Sequence, residues 1–279
     1  MHEKQFYGRG PGGFHRIAYT EWGQASAQPP VICVHGLTRN GRDFDCLAHA
    51  LEGEGRQVFC PDIVGRGKSD WLANAVDYNY AQYLTDMTAL IARTGAESVD
   101  WVGTSMGGHI GMLLAAEANT PIRRLVINDI GPFIPLVAIR RVHAYVGQSP
   151  VFDDLEGVEK HMREIYASFG DLSDANWRHL ARYGARTTPN NKLSLAWDPA
   201  IAVPFLALNQ DVDFFPGSSW TQSVNGVNVL VPGQLLTAPF PNHIVLDTES
   251  GEASWETSSR EWIPEDGLYD RLVVKFPRQ

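Results

Sequence analysis

Four short runs, Val31–Val34, Val58–Cys60, Val99–Val102 and Leu125–Ile127, apolar except for Asp100, are too short for helices and show no sustained polar alternation. Runs of this kind suit strands buried on both faces, which occur where helices cover both sides of a parallel sheet. Helical patterns stand between them. Phe44, Leu47, Ala48 and Leu51 recur at helical spacing before Gly53 and Gly55. Leu84, Met87, Leu90 and Ile91 share one face of a helix expected over Tyr83–Ile91, and Ile110, Leu113 and Leu114 mark a third. A weakly alternating strand over 14–22 precedes them. The order strand, helix, strand, helix, strand, helix, strand predicts an α/β fold with a mostly parallel, doubly wound sheet.

From 133 to 200 the pattern changes. Val142, Tyr145, Met162, Ile165, Tyr166, Trp177, Leu180 and Tyr183 suggest helices with no strand signal, so a helical cap is expected there. The chain then divides into a core part over 1–132, the cap over 133–200 and a second core part over 201–279. In that last part Val227–Val231 and Ile244–Leu246 read as strands, and Leu268–Phe276 as a closing helix. Tyr145, Trp177 and Trp197 either line an apolar pocket or pack helices.

The 279 residues, 44% of them hydrophobic, are enough for such a core with an insertion. A net charge of −9 and a pI near 5.4 argue against a nucleic-acid partner. Cys33 and Cys60 lie in strand-like runs and read as buried thiols of a reducing compartment. No cysteine pair has metal-ligand spacing. No run approaches the roughly 18 to 20 apolar residues of a membrane span. Met1 to Gln5 lack the apolar core of a secretory leader. A soluble cytoplasmic protein is expected.

Gly103-Thr104-Ser105-Met106-Gly107 follows one of the strands and opens a helix, matching G-x-S-x-G. Glycines at both ends permit a sharp turn, and the turn lifts the serine oxygen clear of the backbone. The helix start favours developing negative charge, and the Met106 N–H faces where an oxyanion would form. His35-Gly36-Leu37 ends another strand, and the Leu37 N–H is a candidate second donor; His35 itself reads as structural.

With these segments together, VICVHGLTRNGRDFD (31–45), PDIVGRGKSD (61–70), VGTSMGG (102–108) and LVINDIGP (125–132), the sequence resembles the alpha/beta-hydrolase family. The resemblance covers about 14–135, and more loosely extends to Asp213. It implies Ser105 as nucleophile, with the Leu37 and Met106 N–H groups as oxyanion hole. A serine there, in place of aspartate, sets the chain apart from dehalogenases and epoxide hydrolases. The family's chain order implies His243 as base, although Pro241-Asn242-His243-Ile244 departs from the usual context, and a surface histidine without a role is the alternative. For the acid the resemblance implies Asp129, the alternative being a loop cap before Gly131-Pro132. Asp211 and Asp213 read as a structural motif leading into a seventh strand. Residues 217–266 depart from the family pattern through divergence, a local frame change or loss of the triad.

The resulting expectation is a serine hydrolase acting on a small ester, thioester or lactone, with no cofactor, no metal, no nucleic acid and no membrane partner. Two rivals are a carbon–carbon bond hydrolase of ring-cleavage products and a non-catalytic ligand-binding protein on the same scaffold.

Overall fold

The computed structural model describes residues 1–131 and 133–213. Beyond these it describes the backbone of five strands, Thr221–Val224, Val227–Leu230, His243–Asp247, Glu252–Glu256 and Val274–Lys275. Six strands carry the core: β1 (His2–Gly10), β2 (Gly13–Trp22), β3 (Val31–Val34), β4 (Val58–Pro61), β5 (Val99–Thr104) and β6 (Ile122–Asn128). They lie in the order β1-β2-β4-β3-β5-β6, continued by His243–Asp247, Glu252–Glu256 and Val274–Lys275. The centre, β4-β3-β5-β6, is parallel, as the four apolar runs imply, and both flanks are antiparallel. Strand β1 is not evident in the sequence, because only Phe6 and Gly8 are buried in an otherwise polar edge strand.

The sheet alternates as pleating requires. Val31 and Cys33 face a cluster with Phe44, Ala48 and Cys60 beneath α1 (Asp45–Gly53). Ile32 and Val34 face the main cluster beneath α2 (Tyr80–Thr94) and α3 (Met106–Ala115). Helix α2 begins where the Asn79 side chain accepts from the Gln82 N–H (3.1 Å), and Gly95 ends it at φ 69°. Cys33 and Cys60 are buried free thiols, and Cys46 is exposed. Trp101 is fully buried.

This topology fixes where chemistry gathers. The chain leaves β3 through α1 on one face and β5 through α3 on the other. The loops after β3 and β5 therefore lead to opposite faces from the carboxyl ends of two paired strands, the switch point at which open sheets of this kind carry their ligand crevice. Both sequence motifs, His35-Gly36-Leu37 and Gly103–Gly107, border that crevice.

The segment after β6 holds α4 (Leu136–His143), α5 (Leu155–Ile165) and α6 (Asp174–Gly184). It also holds strands that the sequence does not signal. Val151–Phe152, Leu193–Leu195 and Ala185–Thr187 form a small antiparallel sheet, and Phe133–Ile134 pairs with Val212–Asp213. Pieces of two or three residues are too short to display alternation. Val158, Met162, Trp177 and Ala181 are buried in the main cluster, so Trp177 packs helices, and Trp197 is buried with them. The segment is tied to the loop after β3: Thr38 Oγ1 bonds Tyr166 Oη (2.9 Å), Asn40 donates to the Tyr183 carbonyl (2.9 Å), and His179 Nε2 donates to the Arg42 carbonyl (2.9 Å).

Three expectations for the last part are corrected. Val227–Leu230 forms a hairpin with Thr221–Val224 and does not join the central sheet. The strand beside β6 is instead His243–Asp247, running antiparallel. Val274–Lys275, assigned to a closing helix, is an edge strand against Glu252–Glu256; the rest of that stretch lies outside the described residues. Asp211 does not lead into a strand of the main sheet: it accepts from the Leu136 N–H (2.7 Å), next to the Val212–Asp213 pairing. No helix of the described residues is long and apolar enough to cross a membrane.

Candidate active site

Ser105 joins β5 to α3 with φ 51° and ψ −116°, a conformation that costs a residue with a Cβ roughly 1–3 kcal/mol. The surroundings hold it there. Its N–H donates to the Asn128 carbonyl (3.0 Å), and its carbonyl accepts from Gly108 (2.8 Å) and His109 (3.1 Å). A Cβ on Gly103 would strike the Gly107 carbonyl, and one on Gly107 would strike the Val34 carbonyl. The two glycines thus let strand, turn and helix approach closely. Trp101 Nε1 donates to the Gly107 carbonyl (3.0 Å), pinning the first turn of α3 to the strand before it. No side chain caps this helix.

Two backbone donors stand unspent beside the serine. Neither the Leu37 N–H nor the Met106 N–H is bonded to another described residue. Their loops meet closely, since a Cβ on Gly36 would stand 3.5 Å from Ser105 Cβ.

The Leu37 N–H belongs to the Gly36–Leu37 peptide, and His35 fixes that peptide. The Ile63 N–H donates to His35 Nε2 (2.9 Å), so the ring proton sits on Nδ1, which donates to the Gly36 carbonyl (2.7 Å). In a planar trans peptide, anchoring the carbonyl aims the N–H the opposite way. Burial pushes the His35 imidazole down to about 3, against the weaker opposing effect of the Gly36 bond, so it stays neutral. The structural reading of His35 holds in this specific form.

The histidines after Ser105 whose side chains are described are occupied elsewhere. His109 donates from Nε2 to the Gly131 carbonyl (2.8 Å), accepts from Tyr80 Oη at Nδ1 (3.0 Å), and is lowered to about 4 by burial. His143 bonds the Phe205 carbonyl, His179 the Arg42 carbonyl, and His161 packs on Phe152. His243 opens the strand antiparallel to β6, opposite Asn128, the residue whose carbonyl holds the Ser105 N–H. Asp129 follows Asn128 at φ 54°. Its carboxylate bonds no described residue, so it is not spent as a loop cap. Its side chain is exposed, yet enough protein surrounds it for desolvation to raise its carboxyl, with Arg141 opposing. The backbone thus brings Ser105, Asp129 and His243 to the same end of the sheet.

Among the described residues no group of three or more His, Cys, Asp or Glu side chains is arranged to hold a metal ion. An open groove lined by Lys4, Arg42, Lys68, Arg182 and Arg186 contains none of the crevice residues. One residue at the crevice escapes sequence reasoning altogether. Arg66 reads as part of a glycine-rich loop, yet it is fully buried and donates to the Leu37 carbonyl (2.8 Å).

The family described as alpha/beta hydrolase fold matches residues 29–195. A 3-hydroxybutyrate-oligomer hydrolase of Cupriavidus necator is 46% identical over 198 residues, which are 70% of this chain and 67% of that protein. Lipase LipV of Mycobacterium tuberculosis is 30% identical over 222 residues, 75% of this chain and 78% of that one. The crystal structure of an alpha/beta hydrolase from Novosphingobium aromaticivorans superposes with a TM-score of 0.65 at 32% identity, covering 78% of this chain and 73% of its own.

Proposed function

Because the chain belongs to the alpha/beta-hydrolase family, we propose that it is a serine hydrolase cleaving a small carboxylic ester through an acyl-enzyme on Ser105. Relatives named as an oligoester hydrolase and a lipase support ester hydrolysis. The observation that carries the nucleophile is Ser105 held at φ 51°, at a helix start, beside two unspent N–H groups.

A serine hydroxyl is a weak nucleophile without a base. In this reading His243 takes the Ser105 proton while Oγ attacks the ester carbonyl. The negative charge on the former carbonyl oxygen rests on the Leu37 and Met106 N–H groups. His243 returns the proton to the departing alcohol, leaving an acyl group on Ser105. Water, deprotonated by His243, then releases the acid. Asp129 orients and stabilises the charged imidazole. Its supports are the register opposite Asn128 and the unspent carboxylate. The 133–200 segment acts as the cap that shapes the pocket and excludes water. The similarity to the oligomer hydrolase suggests short oligoesters of hydroxy acids as substrates.

The test is intact mass after a fluorophosphonate probe, with hydrolysis of a 3-hydroxybutyrate dimer and of a simple butyrate ester as the activity readouts. A single adduct absent from Ser105→Ala, with hydrolysis lost in the same variant, supports the reading. Absence of any adduct on the folded wild type refutes it. His243→Ala and Asp129→Asn, assayed the same way, test the base and the acid.

A further inference from the structure

We propose that Arg66 is a positioning residue for this reaction, holding both oxyanion residues in place and lending them a buried positive charge. This rests on the Ser105 reading. Arg66 is 0% exposed, and among the described residues no carboxylate lies in ion-pair contact with it. Burying an uncompensated cation is costly, so its surroundings need an explanation. Nε donates to the Leu37 carbonyl (2.8 Å). Nη1 donates to the Val64 carbonyl (2.7 Å) and Tyr83 Oη (3.0 Å), and Nη2 contacts Met106 Sδ (3.6 Å). The Tyr83 ring lies 5.1 Å away and the Tyr78 ring 5.8 Å. Carbonyl dipoles and ring faces soften the charge without neutralising it.

Two of these partners are the residues whose N–H groups stand free beside Ser105. The peptide before Leu37 is fixed by His35 and the peptide after it by Arg66, so both planes flanking this residue are anchored. The loop is built to aim the arginine inward. Gly65 (φ 84°) and Gly67 (φ 54°) take conformations that side chains rarely adopt, and their positions face the Tyr78 ring and the Asp62 carboxylate. The Gly67 N–H donates to the Ala196 carbonyl (2.7 Å), and the Asp198 backbone N–H donates back to the Gly65 carbonyl (2.8 Å), locking the loop against the end of the inserted segment.

An unneutralised cation is poorly matched to the resting site and better matched to the tetrahedral intermediate, which carries the missing negative charge. Such differential stabilisation raises kcat and leaves KM nearly unchanged.

The experiment compares wild type, Arg66→Met and Arg66→Lys for kcat and KM on a butyrate ester, with melting temperature as the fold control. Affinity for an alkyl boronic acid, which forms an anionic tetrahedral adduct on serine, is measured beside it. Arg66→Met lowers kcat by about 30-fold, below the roughly 100- to 1,000-fold of a direct oxyanion donor. KM stays within about 2-fold, and boronate binding weakens in parallel with kcat. Arg66→Lys keeps the charge but cannot bridge, so kcat recovers to within about 5-fold of wild type. If Arg66→Met fails to fold, the Arg66→Lys loss with a matching boronate loss carries the test. A folded variant with unchanged kcat, with boronate affinity unmoved, or with the loss confined to KM overturns the inference. A wild type that neither hydrolyses esters nor reacts with fluorophosphonate overturns the Ser105 reading and this inference with it.

Discussion

Replacing His35 with leucine makes protein stability depend on pH in a way that wild type and variant do not share. The imidazole is lowered from 6.5 to about 3 by burial, with the Gly36 bond opposing. Between those values the unfolded chain binds a proton that the native chain refuses. The stability gained by keeping the ring neutral is therefore complete above 6.5 and is lost as pH falls toward 3. Going from about pH 7 to about pH 4.5, the wild type loses about 2.5 kcal/mol from this group alone. His35→Leu has no such group, while His109 and Asp62 titrate in both proteins and cancel in the difference. Near pH 7 the variant is less stable by about 2 kcal/mol, mostly because the buried Ile63 N–H loses its acceptor. The Gly36 carbonyl keeps the Arg39 N–H (3.2 Å) and adds little to that cost. Urea unfolding at both pH values should therefore find a gap of about 2 kcal/mol closing to near zero at the lower pH. A gap constant to within about 0.5 kcal/mol would refute the assignment of His35 as a buried neutral clamp. The same variant leaves the Gly36–Leu37 peptide held by the Arg39 N–H alone, and kcat should fall by about 10-fold, short of the roughly 100-fold of a lost oxyanion donor.

Ser105→Gly relieves the strain at φ 51°, so it melts at or above wild type despite the roughly 0.5–1 kcal/mol that added glycine freedom costs, while esterase activity falls by at least about 1,000-fold. Gly107→Ala drives a methyl into the Val34 carbonyl and costs about 3 kcal/mol or abolishes folding; a melting temperature within a degree or so of wild type would contradict the close approach. Asp100→Asn leaves Arg56 (2.5 Å) and Arg123 (2.8 Å) without their shared carboxylate. Both arginines touch solvent, so the loss in urea unfolding is about 2–3 kcal/mol, less than the roughly 3–5 kcal/mol of a fully buried pair.

The parallel centre of the sheet was legible because both its faces are buried. Val31–Val34 and Val58–Cys60, buried at every position, must then be apolar throughout, and a run of that kind has few other uses. Ser105 was legible because its turn needs glycines at fixed offsets, and a backbone collision leaves a trace in sequence. Strand β1 left none, since a polar edge strand with two buried residues resembles a loop. Val227–Leu230 reads as a strand and pairs in a hairpin with Thr221–Val224, because so short a run carries no information about its partner.

Of the polar residues that support the site, the sequence marks His35 as structural without showing what it holds and does not mark Arg66 at all, and the reason is physical. His35 and Arg66 act on main-chain carbonyls, Gly36 and Leu37, which every residue type supplies. No complementary side chain at a fixed spacing betrays the contact, as a carboxylate would for an ion pair. What the sequence does hold is the geometry that forces them inward: Gly36 after the histidine, and glycines on both sides of the arginine. A buried arginine without a carboxylate partner among the described residues costs stability, and a buried neutral histidine costs it as pH falls below 6.5. They converge on the two peptides of Leu37, where a flip of either plane would remove a donor from the oxyanion site. Rigidity of that one residue is the common return for both costs: His35 anchors the peptide before it and Arg66 the peptide after it.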